Sequence, residues 1–378
     1  MLIIDRYLLR QFLQTIVVCY VSLTGLYIVF DAFTNMDEFL RCGEKSGGVL
    51  HLMASFYGYQ SIVFFDRTAG LLNLIAAMFT VAWIQRHNEL TALMAAGISR
   101  FRVARPVLIA VAVILLAATF NREVVIPRCR EQLSRRPQDL IGDKAQLVHP
   151  LYDNRTYILL WGKATYGNEQ RIEEPDFQLP RSLEAYGTNR LKAAQAYYRA
   201  PTDDRPGGYL LERVSEPKQI DTRPSLRLDG EPVILTRSDT AWLEPGQCFV
   251  VSGVTFEQLS GGRTFRDYAS TAQLIESLRN PSLDMGADVR VAIHARIVQP
   301  LIDMTLLMLG LPLVLTRQNR NVFVAIGMCL AVVTVFVLSV LGLQYLGTSL
   351  LIRPALAAWA PLLIFVPAAA WMASGLWE

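Results

Sequence analysis

Val103–Ile126 reads VARPVLIAVAVILLAATFNREVVI, and the residues that follow, Pro127–Arg136, read PRCREQLSRR. The first run is long enough to cross a bilayer core of about 30 Å, which takes roughly 20 apolar helical residues at 1.5 Å each. The second opens a stretch too charged to remain there. Between Asn121 and Arg296 stand 24 Lys and Arg against 24 Asp and Glu, while the other 202 residues share only 12 basic and 9 acidic side chains. An electroneutral, highly charged block is therefore inserted into a charge-poor chain. That pattern predicts a membrane protein with a sizeable water-facing domain in its middle.

Outward from this junction, five further segments meet the same length requirement: Phe12–Phe33, Ile62–Trp83, Ile297–Leu315, Val322–Leu346 and Ala355–Trp377. The first is too long for the apolar core of a signal peptide, and no small-residue cleavage site follows it. The expected fold class is an α+β membrane protein, six transmembrane helices arranged 3+3 around an inserted β-jelly-roll-like domain. The expected boundaries are 1–126 for the N-terminal half, 127–290 for the inserted domain and 291–378 for the C-terminal half.

Composition narrows the function. Of 378 residues, 52% are hydrophobic and 18% charged, which excludes a disordered or low-complexity chain. A net charge of +3, evenly spread, gives no footprint for nucleic acid. Cys19, Cys42, Cys129, Cys248 and Cys329 form no CxxC pair, and no HExxH occurs, so no metal site is expected. Cys129 and Cys248 share the charged block and read either as a bridge in an oxidising compartment or as two isolated thiols.

Short-loop charges set the orientation. One side carries Arg6, Arg10, Arg86, Arg100, Arg102, Arg105, Arg317 and Arg320, whereas the other carries Arg41, Lys45 and Arg353. Both termini are expected in the cytoplasm and the charged block outside. Within the block, Tyr157–Trp161, Tyr209–Val214, Leu226–Leu228, Val233–Leu235 and Phe249–Phe256 read as strands. Turn formers stand between them at Pro206-Gly207-Gly208, Asp229-Gly230 and Gly261-Gly262. Ser270 reads as the hydroxyl cap of a short helix over Ala272–Arg279.

The loop between spans two and three is the segment that points to function. Over Asn88–Ser99, Asn88 is placed to cap a helix, Leu90, Leu93, Met94 and Ile98 recur on one face, Glu89 complements the helix dipole, and Gly97 is a natural stop. The residues alone leave two readings, an interfacial amphipathic helix or a coupling helix gripped by a cytoplasmic partner. The N-terminal Leu2–Leu13 likewise reads either as a surface helix or as a continuation of span one.

Glu89-Leu90-Thr91-Ala92-Leu93 through Ala95-Ala96-Gly97-Ile98-Ser99 resembles the signature loop of the lipopolysaccharide export permeases, the LptF/LptG family. Asp5-Arg6-Tyr7, Val125-Ile126-Pro127, His294-Ala295-Arg296…Pro300 and Gly310-Leu311-Pro312-Leu313 agree with the same pattern. The resemblance covers about residues 1–130 and 270–378. It implies a permease in the bacterial inner membrane with a periplasmic jelly-roll domain, paired with a second related permease. It further implies a cytoplasmic ABC ATPase dimer, a periplasmic bridge protein and a glycolipid substrate. Glu89 would match the family's acidic docking residue, with Leu90, Leu93, Met94, Gly97 and Ser99 completing the ATPase-coupling set. No cofactor is expected on this chain, because no G-x-x-x-x-G-K-[ST] or G-x-S-x-G occurs and ATP and Mg would be used by the partner ATPase.

The outer end of span one departs from that pattern with Asp31, Asp37 and Glu38 where basic residues are expected. Span two opens on Asp66-Arg67, and span four carries Asp303 about 10 Å below the expected outer surface. Charges at such depth face protein or water. One reading pairs Arg67 with Asp31 or Asp303 as a lock between helices. The other makes Asp31, Asp66, Arg67, Arg290, Arg296 and Asp303 a polar gate for a lipid headgroup. Alongside the permease, two other functions remain open, a membrane-embedded enzyme acting on envelope lipids and a mechanotransmission subunit that moves no lipid.

Overall fold

Span one is one uninterrupted helix, α1 (Ile3–Thr34), 32 residues or about 48 Å long. No breaker separates Leu2–Leu13 from the apolar run, so the N-terminal segment continues span one instead of lying apart from it. The computed structural model describes residues 3–43, 48–134, 145–167, 169–180, 188–203, 205–228, 230–315 and 322–374. Asp229, the basic residues Lys45, Arg135, Arg136, Arg317 and Arg320, and the end of span six at Trp377 lie outside them.

Among the described residues, six helices are long and apolar enough to cross a membrane. After α1, a short amphipathic helix α2 (Met36–Gly43) buries Phe39 against Phe56 and Tyr57, with ring centroids 5.6 and 5.7 Å away. Span two is α3 (Val49–Arg86), which begins thirteen residues before the expected Ile62. Asp66-Arg67 therefore lies well inside the helix and not at its start. The loop helix α4 (Glu89–Ala95) leads to span three, α5 (Arg100–Phe120). One π turn, Asn121–Val125, then passes into α6 (Ile126–Arg128) and α7 (Arg130–Ser134). Spans four to six are α10 (Ala287–Leu315), α11 (Val322–Thr348) and α12 (Pro354–Ser374).

The chain divides into two compact units, residues 1–133 with 286–378, and residues 134–285. The divide falls inside the expected 127 and 290, because α6 and α7 prolong span three and α10 starts ten residues before Ile297. A core cluster in the helical unit joins Leu8 and Phe12 of α1, Ile84 of α3, Leu90 of α4, Val103 and Val107 of α5, and Leu306 and Leu311 of α10.

The second unit is a curled antiparallel sheet, a jelly-roll-like half-barrel. Its strands are β1 (Gln146–Leu147), β2 (Leu151–Asp153), β3 (Ile158–Leu160), β4 (Gly162–Tyr166), β5 (Arg171–Gln178), β6 (Arg190–Arg199), β7 (Gly208–Glu216), β8 (Leu226–Leu228), β9 (Glu231–Thr236) and β10 (Cys248–Val251). They pair in the order β1-β4-β5-β6-β7-β10-β9-β8, with β3 bridging β2 and β5. Ile158, Leu160, Ile172, Phe177, Leu191, Tyr209, Leu211, Ile234 and Phe249 are buried, the alternating positions that give such a sheet its apolar face. The fully buried Tyr209 donates to the Val254 carbonyl at 3.1 Å.

Two expectations are corrected in this unit. The strand expected over Phe249–Phe256 stops at Val251, because Thr255 caps α8 (Phe256–Tyr268) in a capping box with Gln258. Gly261-Gly262 is not a turn between strands but a kink inside α8, where Gly262 takes φ 46°. The helix after Ser270 is α9 (Thr271–Arg279), with the expected hydroxyl cap completed by Gln273. Cys129 and Cys248 are free thiols, and burial pushes that of Cys248 well above its usual range.

Candidate functional site

The loop between spans two and three is built by backbone punctuation at both ends. Asn88 adopts φ 58°, and its side chain caps nothing, contrary to expectation; the left-handed turn itself starts the helix. Gly97, at φ 80°, ends it. Gly97 N–H donates to the Met94 carbonyl at 2.9 Å and Ile98 N–H to the Leu93 carbonyl at 3.1 Å, the paired bonds of a Schellman stop. Ser99 then caps α5 by accepting from Arg102 N–H at 3.4 Å. Gly97 thus shapes the loop through its backbone and Ser99 through its hydroxyl.

The side chains of α4 divide by face. Leu90 is buried, and Leu93, Met94 and Ile98 are half-buried against the same core. Thr91, Ala92, Ala95 and Ala96 are exposed. Glu89, half-buried, accepts from the Tyr7 hydroxyl, with Oε2 at 3.1 Å and Oε1 at 3.3 Å. Asp5 pairs with Arg102 at 3.8 Å, and Gln85 Nε2 donates to the Val314 carbonyl at 2.7 Å. The starts of α1 and α5 and the ends of α3 and α10 therefore meet around α4.

A second cluster lies along α3 and α10. Both oxygens of Asp66 are 3.0 Å from Nε of Arg122. The π turn aims that side chain, while Asn121 beside it donates to the Ile62 carbonyl at 2.9 Å. One helical turn along, Gly70 packs so tightly on Asp303 that an added Cβ would collide with its carboxylate. Gln299 Nε2 donates to Asp303 at 2.9 Å, and Asp303 lies within electrostatic range of both Asp66 and Arg122. Because α10 starts at Ala287, Asp303 lies about 24 Å along that helix, where it packs against α3.

The expected Arg67 lock is not formed. Arg67 is exposed and makes no ion pair among the described residues, and Asp31 instead accepts from the Tyr57 hydroxyl at 2.8 Å. Arg122, which the residue pattern did not single out, supplies the cation. Arg290 is exposed and Arg296 half-buried on α10; Asp37 is exposed and Glu38 half-buried on α2. Tyr7, Tyr57, Gly70 and Gln299 were missed as well. A buried carboxylate needs a donor, so a scan for Tyr, Gln and Arg on the neighbouring spans is the signal that would have found all of these but Gly70. Among the described residues, no three His, Cys, Asp or Glu side chains are grouped to hold a metal ion.

The chain is a multi-pass membrane protein whose span ends converge on one loop helix, with a separate antiparallel β unit. Residues 6–158 and 188–374 match the lipopolysaccharide export system permease LptF/LptG family, and the chain belongs to that family. This is a family of transporter permeases of the inner membrane and not of enzymes. Comparison with individual curated proteins gives no match.

Proposed function

We propose that this chain is the permease subunit of an ABC transporter that extracts lipopolysaccharide, or a related glycolipid, from the inner membrane and passes it to a periplasmic bridge protein. In this reading ATP and Mg are used by a cytoplasmic ATPase dimer, both termini are cytoplasmic and the β unit is periplasmic. The observation that carries the reading is α4. Its exposed ridge of Thr91, Ala92, Ala95 and Ala96 is free of bulky side chains, and its opposite face is tied into α1, α3 and α5.

Closure of the ATPase dimer would press on that ridge and move spans one to three together. Transport is then a population shift between a cavity-open and a collapsed state, driven by differential ATP affinity for the two. The second permease packs on α1 and α11, which bury only 17% and 11% of their most apolar windows against 56% for α10. Asp31, Asp66 and Asp303, with Arg67, Arg290 and Arg296, make up the polar gate of this reading, Asp66 held by Arg122 and Asp303 by Gln299. Of these, Arg67 and Arg290 are exposed and make no ion pair among the described residues, which leaves their guanidinium groups able to meet a lipid phosphate.

Affinity purification in mild detergent, with mass spectrometry of proteins and lipids, tests the assembly. Recovery of an ATPase, a related permease and lipopolysaccharide supports it. A chain recovered without any ATPase overturns it.

A further inference from the structure

We propose that Tyr7 is the positioning residue that makes span one follow the coupling helix: its hydroxyl, held on the Glu89 carboxylate, delivers the displacement of α4 to α1. The inference rests on the permease reading above and assigns Glu89 a partner inside its own chain. Glu89 is the first residue of α4, so its carboxylate moves with that helix. Tyr7 OH lies 3.1 and 3.3 Å from the two carboxylate oxygens, and its neighbours Leu8 and Phe12 are buried in the cluster that contains Leu90. Asp5, two residues earlier, reaches Arg102 of α5. The first turns of α1 are thus fastened to both sides of the loop.

What lies beyond Tyr7 makes the fastening consequential. The helix runs without interruption from Tyr7 to Asp31, about 36 Å, where Asp31 accepts from Tyr57 of α3. Of the first three spans α1 buries the least, 17% against 39% for α3 and 50% for α5. A push at Glu89 reaches the far end of α1 as a rigid-body movement. Without the hydroxyl, α1 follows α4 only through the packing of Leu8 and Phe12 and the Asp5–Arg102 pair, and the movement is delivered incompletely.

The test uses the complete transporter, with its ATPase and second permease, in nanodiscs that contain lipopolysaccharide. Tyr7→Phe removes one oxygen and keeps the ring. The expected result is ATPase recovery and ATP hydrolysis within about twofold of the parent, with lipopolysaccharide released per ATP reduced by about fivefold or more. Tyr7→Phe combined with Glu89→Gln should transport no worse than the weaker single variant, as two members of one link do. A parental ratio of lipid to ATP in Tyr7→Phe, or losses that multiply in the double variant, overturns the proposal. Loss of the ATPase from the Tyr7→Phe complex also overturns it, because the hydroxyl would then serve assembly. An unaltered chain that recovers no ATPase defeats the permease reading itself and is told apart by that control.

Discussion

Asp66 and Arg122 form an ion pair within the apolar helices, with both carboxylate oxygens 3.0 Å from one guanidinium nitrogen and both side chains largely covered. The pair fastens span two to the π turn that ends span three. A π turn inserts one extra residue per turn, and here that shift points Arg122 at α3. Buried pairs of this kind contribute little net stability, but breaking one strands a charge. Arg122→Gln should therefore lower stability by about 3–5 kcal/mol. Adding Asp66→Asn should restore part of it, read as the thermal midpoint in detergent. A double variant as unstable as the sum of the singles would show that the two side chains do not act as a pair.

Gly70 is the second constraint on the same cluster. A methyl group there meets the Asp303 carboxylate, which Gln299 holds in place. Gly70→Ala should cost about 1–3 kcal/mol, as overpacking typically does, and Asp303→Ser should relieve most of that loss. A Gly70→Ala variant as stable as the parent would mean that α3 and α10 have room to separate.

In the β unit, Asp153 is buried and makes no ion pair among the described residues. It accepts from the backbone N–H of Arg155 at 2.9 Å and of Thr156 at 3.3 Å, and from the Ser252 hydroxyl at 2.5 Å. Hydrogen bonds to a charged group contribute about 1.5–3 kcal/mol each, and removing a partner leaves buried donors unsatisfied. Asp153→Ala should therefore destabilise this unit by at least about 3 kcal/mol, and Asp153→Asn by less. Hydrogen exchange of the strands flanking Asp153 would report the difference.

Alkali should weaken the same unit. Burial raises the Tyr209 phenol and the Cys248 thiol well above their usual values. In an unfolded chain the thiol loses its proton near about pH 8.5 and the phenol near about 10. The fold binds both protons more tightly, so their contribution is complete below about pH 8.5 and is lost as pH rises beyond it. The midpoint of this unit should fall between pH 8 and 10.5 by about this sequence of steps, and Cys248→Ala should abolish the first. A midpoint that stays level across that range would contradict the burial of both groups.

Six spans, the 3+3 order and the β character of the insert were legible because each rests on a strong signal, either 20 apolar residues or alternation between turn formers. What escaped was weaker. β5 reads RIEEPDFQ, four charges with Pro175 in the middle, and β6 reads RLKAAQAYYR, rich in helix-forming alanine; both are strands because neighbours pair with them. α1, α3 and α10 run beyond their apolar windows because a helix continues into water wherever capping does not stop it. At the candidate site, the loop helix and its glycine stop were visible from spacing. The partners were not. Tyr7 lies 82 residues from Glu89 and Arg122 lies 56 from Asp66, separations no local pattern encodes.

The measurement that bears most directly on the account is ATP-driven release of lipopolysaccharide from nanodiscs that hold the purified complex to a soluble periplasmic acceptor. The account expects release that requires ATP and this chain, and that stops when Glu89→Lys uncouples α4. ATP hydrolysis at full rate with the lipid left in the membrane would contradict it, and would make the chain a transmitter of movement that carries no lipid.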